Sequence, residues 1–290
     1  MSMLPLLGLP PYASTTERLW RLFFFVFCGA VLLFLISPIL IVIPISFNDT
    51  SFLSFPHGNW SLRWYEEFFQ SERWNQAIKN SIIIAFFSTI LSTTLGTVAA
   101  LGLSRPYFPA RALIMAVLIS PMIVPVVITA AAVYFFYANP LGIGDEPLFV
   151  LNNTHLGVIM AHTLLATPFV VITVTATLTG FDQSMIRAGA SLGATPTTVF
   201  RRVILPLISP GVISGALFAF VTSWDEVVLV LFIGGTDQRT LPRQMFSGIR
   251  EMISPTITAA ATVLVAVAVL MLLVVEFLRR RSERLRGIRT

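Results

Sequence analysis

Two adjacent carboxylates, Asp225 and Glu226, stand inside an otherwise apolar run at 219–233. On insertion scales, an acid at the centre of a membrane-spanning helix costs roughly 2.5–3.5 kcal/mol. A place toward the outer end of the run lowers that cost. Acids kept at such a position are candidates for a cation-selective lining, and the neighbouring Trp224 presents a π-face that suits an ammonium group. A hydrogen-bonding anchor to a neighbouring subunit near the outer rim fits the same residues. On a continuous helix adjacent residues point about 100° apart, so at most one of the two acids faces a pathway squarely.

Other chemistry is excluded residue by residue. A phosphate-cradling P-loop needs a lysine after its glycines, and the single lysine, Lys79, stands in Ala-Ile-Lys-Asn. The chain therefore has no P-loop with which to hold ATP. The histidines are His57, His155 and His162, with no HExxH pattern; two histidines without a carboxylate make a poor zinc site. The Gly-x-Ser-x-Gly spacing at 189–193 falls at the end of a stretch of helix formers rather than at the strand-to-helix turn that a nucleophile elbow needs, so no hydrolase site is expected. The lone Cys28 has no partner for a disulfide within the chain and reads as a small buried hydrophobe. No catalytic residue, metal or cofactor is assigned.

The elements that must position the acids are membrane spans. Of 290 residues, 56% are hydrophobic and only 11% charged, against about 25% charged in soluble domains. So much apolar surface exceeds what one water-soluble core can bury, and places the chain in a lipid bilayer. The net charge of +5 does not point to nucleic acid, because six arginines cluster in a short tail after the last apolar run. That distribution is a topology signal and a snorkelling anchor. About 20 apolar residues cross a bilayer core, and six stretches qualify: 22–45, bent near Pro38; 76–103; 112–137, with Pro121 and Pro125; 155–178; 207–233; and 253–278. Residues 1–21 form an N-terminal arm, 22–278 the six-span domain and 279–290 the basic tail. A short amphipathic helix is expected near 62–69. The stretches 138–154, acidic at Asp145 and Glu146, and 234–252 read as outer loops. About 13 of the 19 basic residues then fall on one side, which puts both termini in the cytoplasm. The pattern Pro210-Gly211-x-x-x-Gly215 suits close packing against a partner helix.

The longest polar interruption on the cytoplasmic side runs over 182–206. Asp182 is a good N-cap. Gly193 suits the left-handed position that stops a helix. Thr195-Pro196 reads as a second N-cap followed by proline at the first helical position. Val199, Phe200, Val203 and Ile204 form an apolar stripe, and Pro206 disfavours helical geometry at Leu205. The spacing predicts two short helices hinged at Gly193-Ala194, returning directly into the fifth span. An ordinary amphipathic connector lying on the membrane fits these features equally well.

Arg187-Ala188-Gly189, Gly193 and Ile204-Leu205-Pro206 together resemble the EAA loop of ATP-binding-cassette (ABC) importer permeases. Ser46-Phe47-Asn48, Ser61-Leu62-x-Trp64-Tyr65, Asn80-Ser81, Ser223-x-Asp225-Glu226-Val227-Val228 and Thr240-Leu241-Pro242 resemble the spermidine/putrescine branch. The resemblance implies an all-α, type I importer-permease fold. It assigns ATPase coupling to Arg187, Ala188, Gly189, Gly193, Leu205 and Pro206, through a helix that docks in a groove of an ATP-binding subunit. It also implies two copies of that subunit, a homologous second permease, a periplasmic substrate-binding protein and a bacterial inner-membrane location. A cationic solute such as spermidine or putrescine would move by alternating access past Trp224, Asp225 and Glu226. An opine, an amino acid derivative or an aminophosphonate are alternative cargoes. A stand-alone secondary transporter or channel would show inverted repeats or more intramembrane charge. The chain departs from the loop pattern at two positions: Arg187 replaces a glutamate and Gly189 an alanine. Arg187 implies an acidic or neutral residue opposite it on the ATP-binding subunit.

Overall fold

A computed structural model describes residues 14–56, 58–105, 107–138, 150–179, 184–251 and 254–285. The expected cap at Asp182, the acids Asp145 and Glu146, and the end of the basic tail lie outside the described residues. The described chain is helical, its only strand-like pairing being an isolated bridge between Asn48 and Trp60. Among the described residues five helices are long and apolar enough to cross a membrane, or six if a bent pair of helices counts as one span.

Helix α1 (Thr15–Ile45) begins seven residues before the expected 22. The cause is a capping box at the end of the polar arm. The Glu17 N–H donates to Ser14 Oγ at 3.3 Å, and the Ser14 N–H donates to Glu17 Oε2 at 2.8 Å. None of its residues is buried, Cys28 included, so its apolar surface faces outward. Helix α2 (Arg63–Gln70) is the expected amphipathic helix, with Trp64 and Phe68 buried one turn apart. Helix α3 (Glu72–Leu103) starts four residues before the expected 76.

The third span is not one helix. Helices α4 (Arg111–Ile123) and α5 (Val126–Ala138) meet at 106°. Pro125 is the reason. The residue before a proline is pushed out of the helical region, and Val124 is extended at φ −69°, ψ 134°. Pro121 and Pro168, by contrast, sit inside helices α4 and α6 (His155–Thr179) without breaking them.

Beyond α6 come α7 (Ser184–Ser191), α8 (Pro196–Val199) running on as a π turn (Phe200–Ile204), and α9 (Leu205–Trp224). Then follow α10 (Val228–Ile233), α11 (Leu241–Glu251) and α12 (Thr256–Leu285). The fifth span, expected to be continuous over 207–233, is therefore broken after Trp224. The outer loop expected at 234–252 carries the helix α11.

Helices α3, α6 and α9 form the centre. A side chain would block their approach. A Cβ at Gly96 of α3 would lie 2.6 Å from Val170 Cβ, and one at Gly215 of α9 would lie 3.0 Å from Val170 Cα. A Cβ at Gly211 would lie 2.8 Å from the Thr173 carbonyl oxygen. The partner of the Pro210-Gly211-x-x-x-Gly215 pattern is thus α6, and Val170 is the residue on which both neighbours close.

Candidate functional site

The loop after α6 is built by its own caps. Gly193 has φ +78°. Its N–H donates to Ala190 O at 3.0 Å, and the Ala194 N–H donates to Gly189 O at 3.1 Å. Those two bonds are a Schellman ending with glycine at C′. Thr195 then caps α8, its Oγ1 accepting from the Thr198 N–H at 3.3 Å. The hinge at Gly193-Ala194 is present as expected. A left-handed alanine costs roughly 1–2 kcal/mol, so Gly193→Ala is expected to speed amide exchange at Leu192–Ala194 about tenfold. Gly193→Asn, which tolerates that conformation, should change it less.

Leu205 departs from expectation. It is helical, at φ −57° and ψ −44°, although Pro206 follows it. The π turn explains this. The Leu205 N–H reaches five residues back to Phe200 O, so the ordinary ladder ends there. Pro206 falls in the first turn of α9, where a missing N–H costs nothing.

Across the hinge, Val199 is buried against Gly189, where an added Cβ would lie 3.2 Å from Val199 Cγ2. Gly189, which stands where the motif has alanine, is matched to that valine. Between the loop and the C-terminal ends of α3 and α6 lies a cavity of about 490 Å³, lined by Leu101, Ser104, Leu178, Ile186, Ala190 and Phe200 among others. Ile186 and Ala190 therefore line the loop's side of this cavity. Arg187 and Ala188 face out, and Leu192 at the tip is 88% exposed. Sequence reading passed over Leu192. Its signal is a large apolar residue immediately before the stop glycine.

The acids sit at the break in the fifth span. Asp225 ends α9 at φ −100°, ψ 0°, and is exposed. Glu226 turns back, its Oε1 accepting from the Leu229 N–H at 2.9 Å. It thereby satisfies one of the orphan donors of α10. The expectation of two side chains 100° apart on one helix does not hold, because the backbone is not helical between them. Helix α10 buries Leu229, Val230 and Ile233 against Ala130, Tyr137 and Val158. Trp224, expected to offer its face to a cation, is 4% exposed. It stacks on Phe220 with ring centroids 5.6 Å apart, and its Nε1 donates to Leu264 O of α12 at 3.4 Å. Of the three expected pathway residues, Asp225 is open, Glu226 is a cap and Trp224 is an anchor.

The remaining motifs meet in pairs. Ser46 Oγ lies 2.6 Å from Tyr65 Oη, and the Ser61 N–H donates to Phe47 O at 2.8 Å. Asn80 Nδ2 donates to Asp237 O and Arg239 O at 2.7 and 2.9 Å, and Ser81 Oγ accepts from the Leu241 N–H at 2.7 Å. Arg243 Nη1 donates to the carbonyls of Gly234 and Gly235. Burial, and next the charge of Arg239, lower its pKa from the ordinary guanidinium value. His155 Nε2 lies 3.0 Å from Asn80 Oδ1, whereas His162, two turns further along α6, faces Ser223. Among the described residues no three histidine, cysteine or acidic side chains group as metal ligands.

Residues 92–286 match the family described as binding-protein-dependent transport system inner membrane component. The chain belongs to this family. This permease is 30% identical over 261 residues to the spermidine/putrescine transport system permease protein PotC of Haemophilus influenzae, covering 89% of this chain and 96% of that one. It is 32% identical over 255 residues to the putrescine transport system permease protein PotI of Escherichia coli, covering 87% and 89%. Its fold matches a chain of a bacterial ABC transporter that imports the acidic polysaccharide alginate, with TM-score 0.71, 19% identity and coverage of 92% and 96%. The permease fold expected from the loop is the fold present. In this permease the segment Ser184–Ile204 lies in the chain between α6 and α9, the two helices that pack on each other through Gly211 and Gly215.

Proposed function

We propose that the permease is one transmembrane half of an ATP-driven importer of small organic polycations such as spermidine or putrescine. The observation that carries the coupling role is the capped loop. It presents Arg187, Ala188 and Leu192 outward, while α7 packs on α8 and the π turn that leads into α9. A surface so fixed on one side and apolar at its tip suits the groove of an ATP-binding subunit. Gly193, Gly189 and the π turn up to Leu205-Pro206 set its angle. The placement of basic residues supports cytoplasmic termini, and the loop then meets its partner in the cytoplasm.

Two ATP-binding subunits, a homologous second permease and a periplasmic binding protein complete the machine. ATP hydrolysis takes place on the ATP-binding subunits. Their closure moves the loop, and α6 and α9 follow together, which exchanges inward-open and outward-open states. The cargo reading draws on the names of the relatives and on Asp225, an acid left open at the break of a span. The outer-loop arginines Arg239, Arg243 and Arg250 lie on the side that meets the binding protein.

The test is reconstitution of the whole complex in proteoliposomes, with ATPase activity read on addition of spermidine-loaded binding protein. Stimulation is expected. A permease that moves spermidine without any P-loop subunit would overturn the reading. Charge reversal at the departed position, Arg187→Glu, is expected to lower stimulated ATPase about tenfold with the native partner, since it faces an acidic or neutral docking residue. An increase would show that the partner keeps a site for glutamate.

A further inference from the structure

Three polar side chains from three helices meet at the outer end of the core. Ser223 belongs to the last turn of α9, two residues before Asp225. Its Oγ lies 2.8 Å from His162 Nδ1 of α6 and accepts from Ser88 Oγ of α3 at 2.9 Å. All three residues are buried, and His162 is 1% exposed. The His162 Nε2 atom is buried and has no hydrogen-bond partner.

This arrangement is a poor way to pack a core. An unpaired buried polar group costs about 1–3 kcal/mol, and apolar side chains of the same volume would fill the space without that cost. What the hydrogen bonds add is direction. An apolar contact lets a helix end rotate and slide, whereas two short bonds to one hydroxyl hold it in one place. The next residue is held as well, because Trp224 bonds Leu264 of α12. The two residues ahead of Asp225 are thus tied to α3, α6 and α12. There the helix ends, and the backbone is free of its ladder until α10.

We propose that His162, acting with Ser88 through Ser223, is a positioning residue that fixes where Asp225 leaves the end of α9. Its use in transport rests on the reading of Asp225 as a pathway residue, but the placement itself does not. Asparagine at 162 keeps a polar atom at the Nδ1 position, glutamine keeps one nearer Nε2, and leucine keeps neither. The three substitutions therefore separate the bond to Ser223 from bulk and from general polarity.

The chain has one cysteine, Cys28, so Cys28→Ser gives a background in which Asp225→Cys is the single thiol. In the assembled complex, the rate of labelling of that thiol by a membrane-impermeant maleimide reports its placement. His162→Leu and His162→Gln are expected to change the rate tenfold or more, and His162→Asn to stay within twofold of the parent. Ser223→Ala, a smaller change, should follow leucine and serves where His162→Leu fails to assemble. Equal rates in all assembled variants would overturn the proposal, as would asparagine behaving like leucine. Spermidine uptake is measured separately with Asp225 present. His162→Leu should lower it, and on an Asp225→Asn background should lower it no further. If Asp225→Asn alone leaves uptake unchanged, the pathway reading fails, and the labelling rates still decide the placement.

Discussion

Gly215→Leu is expected to destroy the permease as a folded unit. Gly215 meets α6 where a Cβ would lie 2.6 Å from Thr173 Oγ1 and 3.0 Å from Val170 Cα. A hydroxyl can rotate away, but a backbone carbon cannot. α9 would have to separate from α6 along its length, because Gly211 makes a similar approach one turn earlier, 2.8 Å from Thr173 O. Overpacking a core typically costs about 1–3 kcal/mol, and here the strain falls on the contact that joins the loop to the spans. The variant should lose its monodisperse peak in detergent and all uptake. Gly102→Ala is the control. An added Cβ there meets only Phe108 Cε2 at 4.0 Å, and the variant should elute and transport like the parent. A Gly215→Leu protein that remained monodisperse with full uptake would show that α6 and α9 do not pack this way.

Asp225→Asn should lower uptake of a polycation roughly ten- to hundred-fold, the range of one charge-assisted hydrogen bond of about 1.5–3 kcal/mol. ATPase activity without binding protein should be unchanged. Glu226→Gln should lower uptake less than threefold, because the amide oxygen of glutamine can still accept from the Leu229 N–H that Glu226 caps. The contrast between the two acids is the informative measurement. Equal losses would mean that both line the pathway, and no loss at Asp225 would remove it from the pathway. Radiolabelled spermidine uptake in proteoliposomes reads both.

Much of the loop after α6 and of its packing neighbours was legible in the chain itself. Gly193 as a helix stop, Thr195-Pro196 as a start and Gly211/Gly215 as a close contact rest on local rules of capping and steric size, and these act over a few residues. The arginine at 187 and glycine at 189 were visible as departures from the loop pattern. That Gly189 is matched by Val199 was not, because it depends on how two short helices fold onto each other.

The proline readings divided on the same principle. Pro125 broke its span by acting on the residue before it, as the local rule says, though apolar run length alone suggested one span over 112–137. Pro206 did not, since the π turn at Phe200–Ile204 moved it into a first turn. Sequence shows where a proline is, whereas the hydrogen-bond register around it is a property of the packed helix.

By itself the sequence determined that this protein lives in a bilayer, that its basic residues are spread unevenly among its polar stretches, that it carries no P-loop, and that 182–206 is a capped, partly apolar interruption between two spans. Composition, apolar run length and capping residues decide those points, and each is a sum over neighbours along the chain. The tertiary structure decided the roles of Trp224, Asp225 and Glu226. In sequence they are three consecutive residues of one apolar run. In the fold, Ser223 and Trp224 are bound by α3, α6 and α12, the helix ends, and the three side chains part into anchor, open acid and cap. Contacts between residues 40 to 135 positions apart hold that break in place, and no local pattern encodes them.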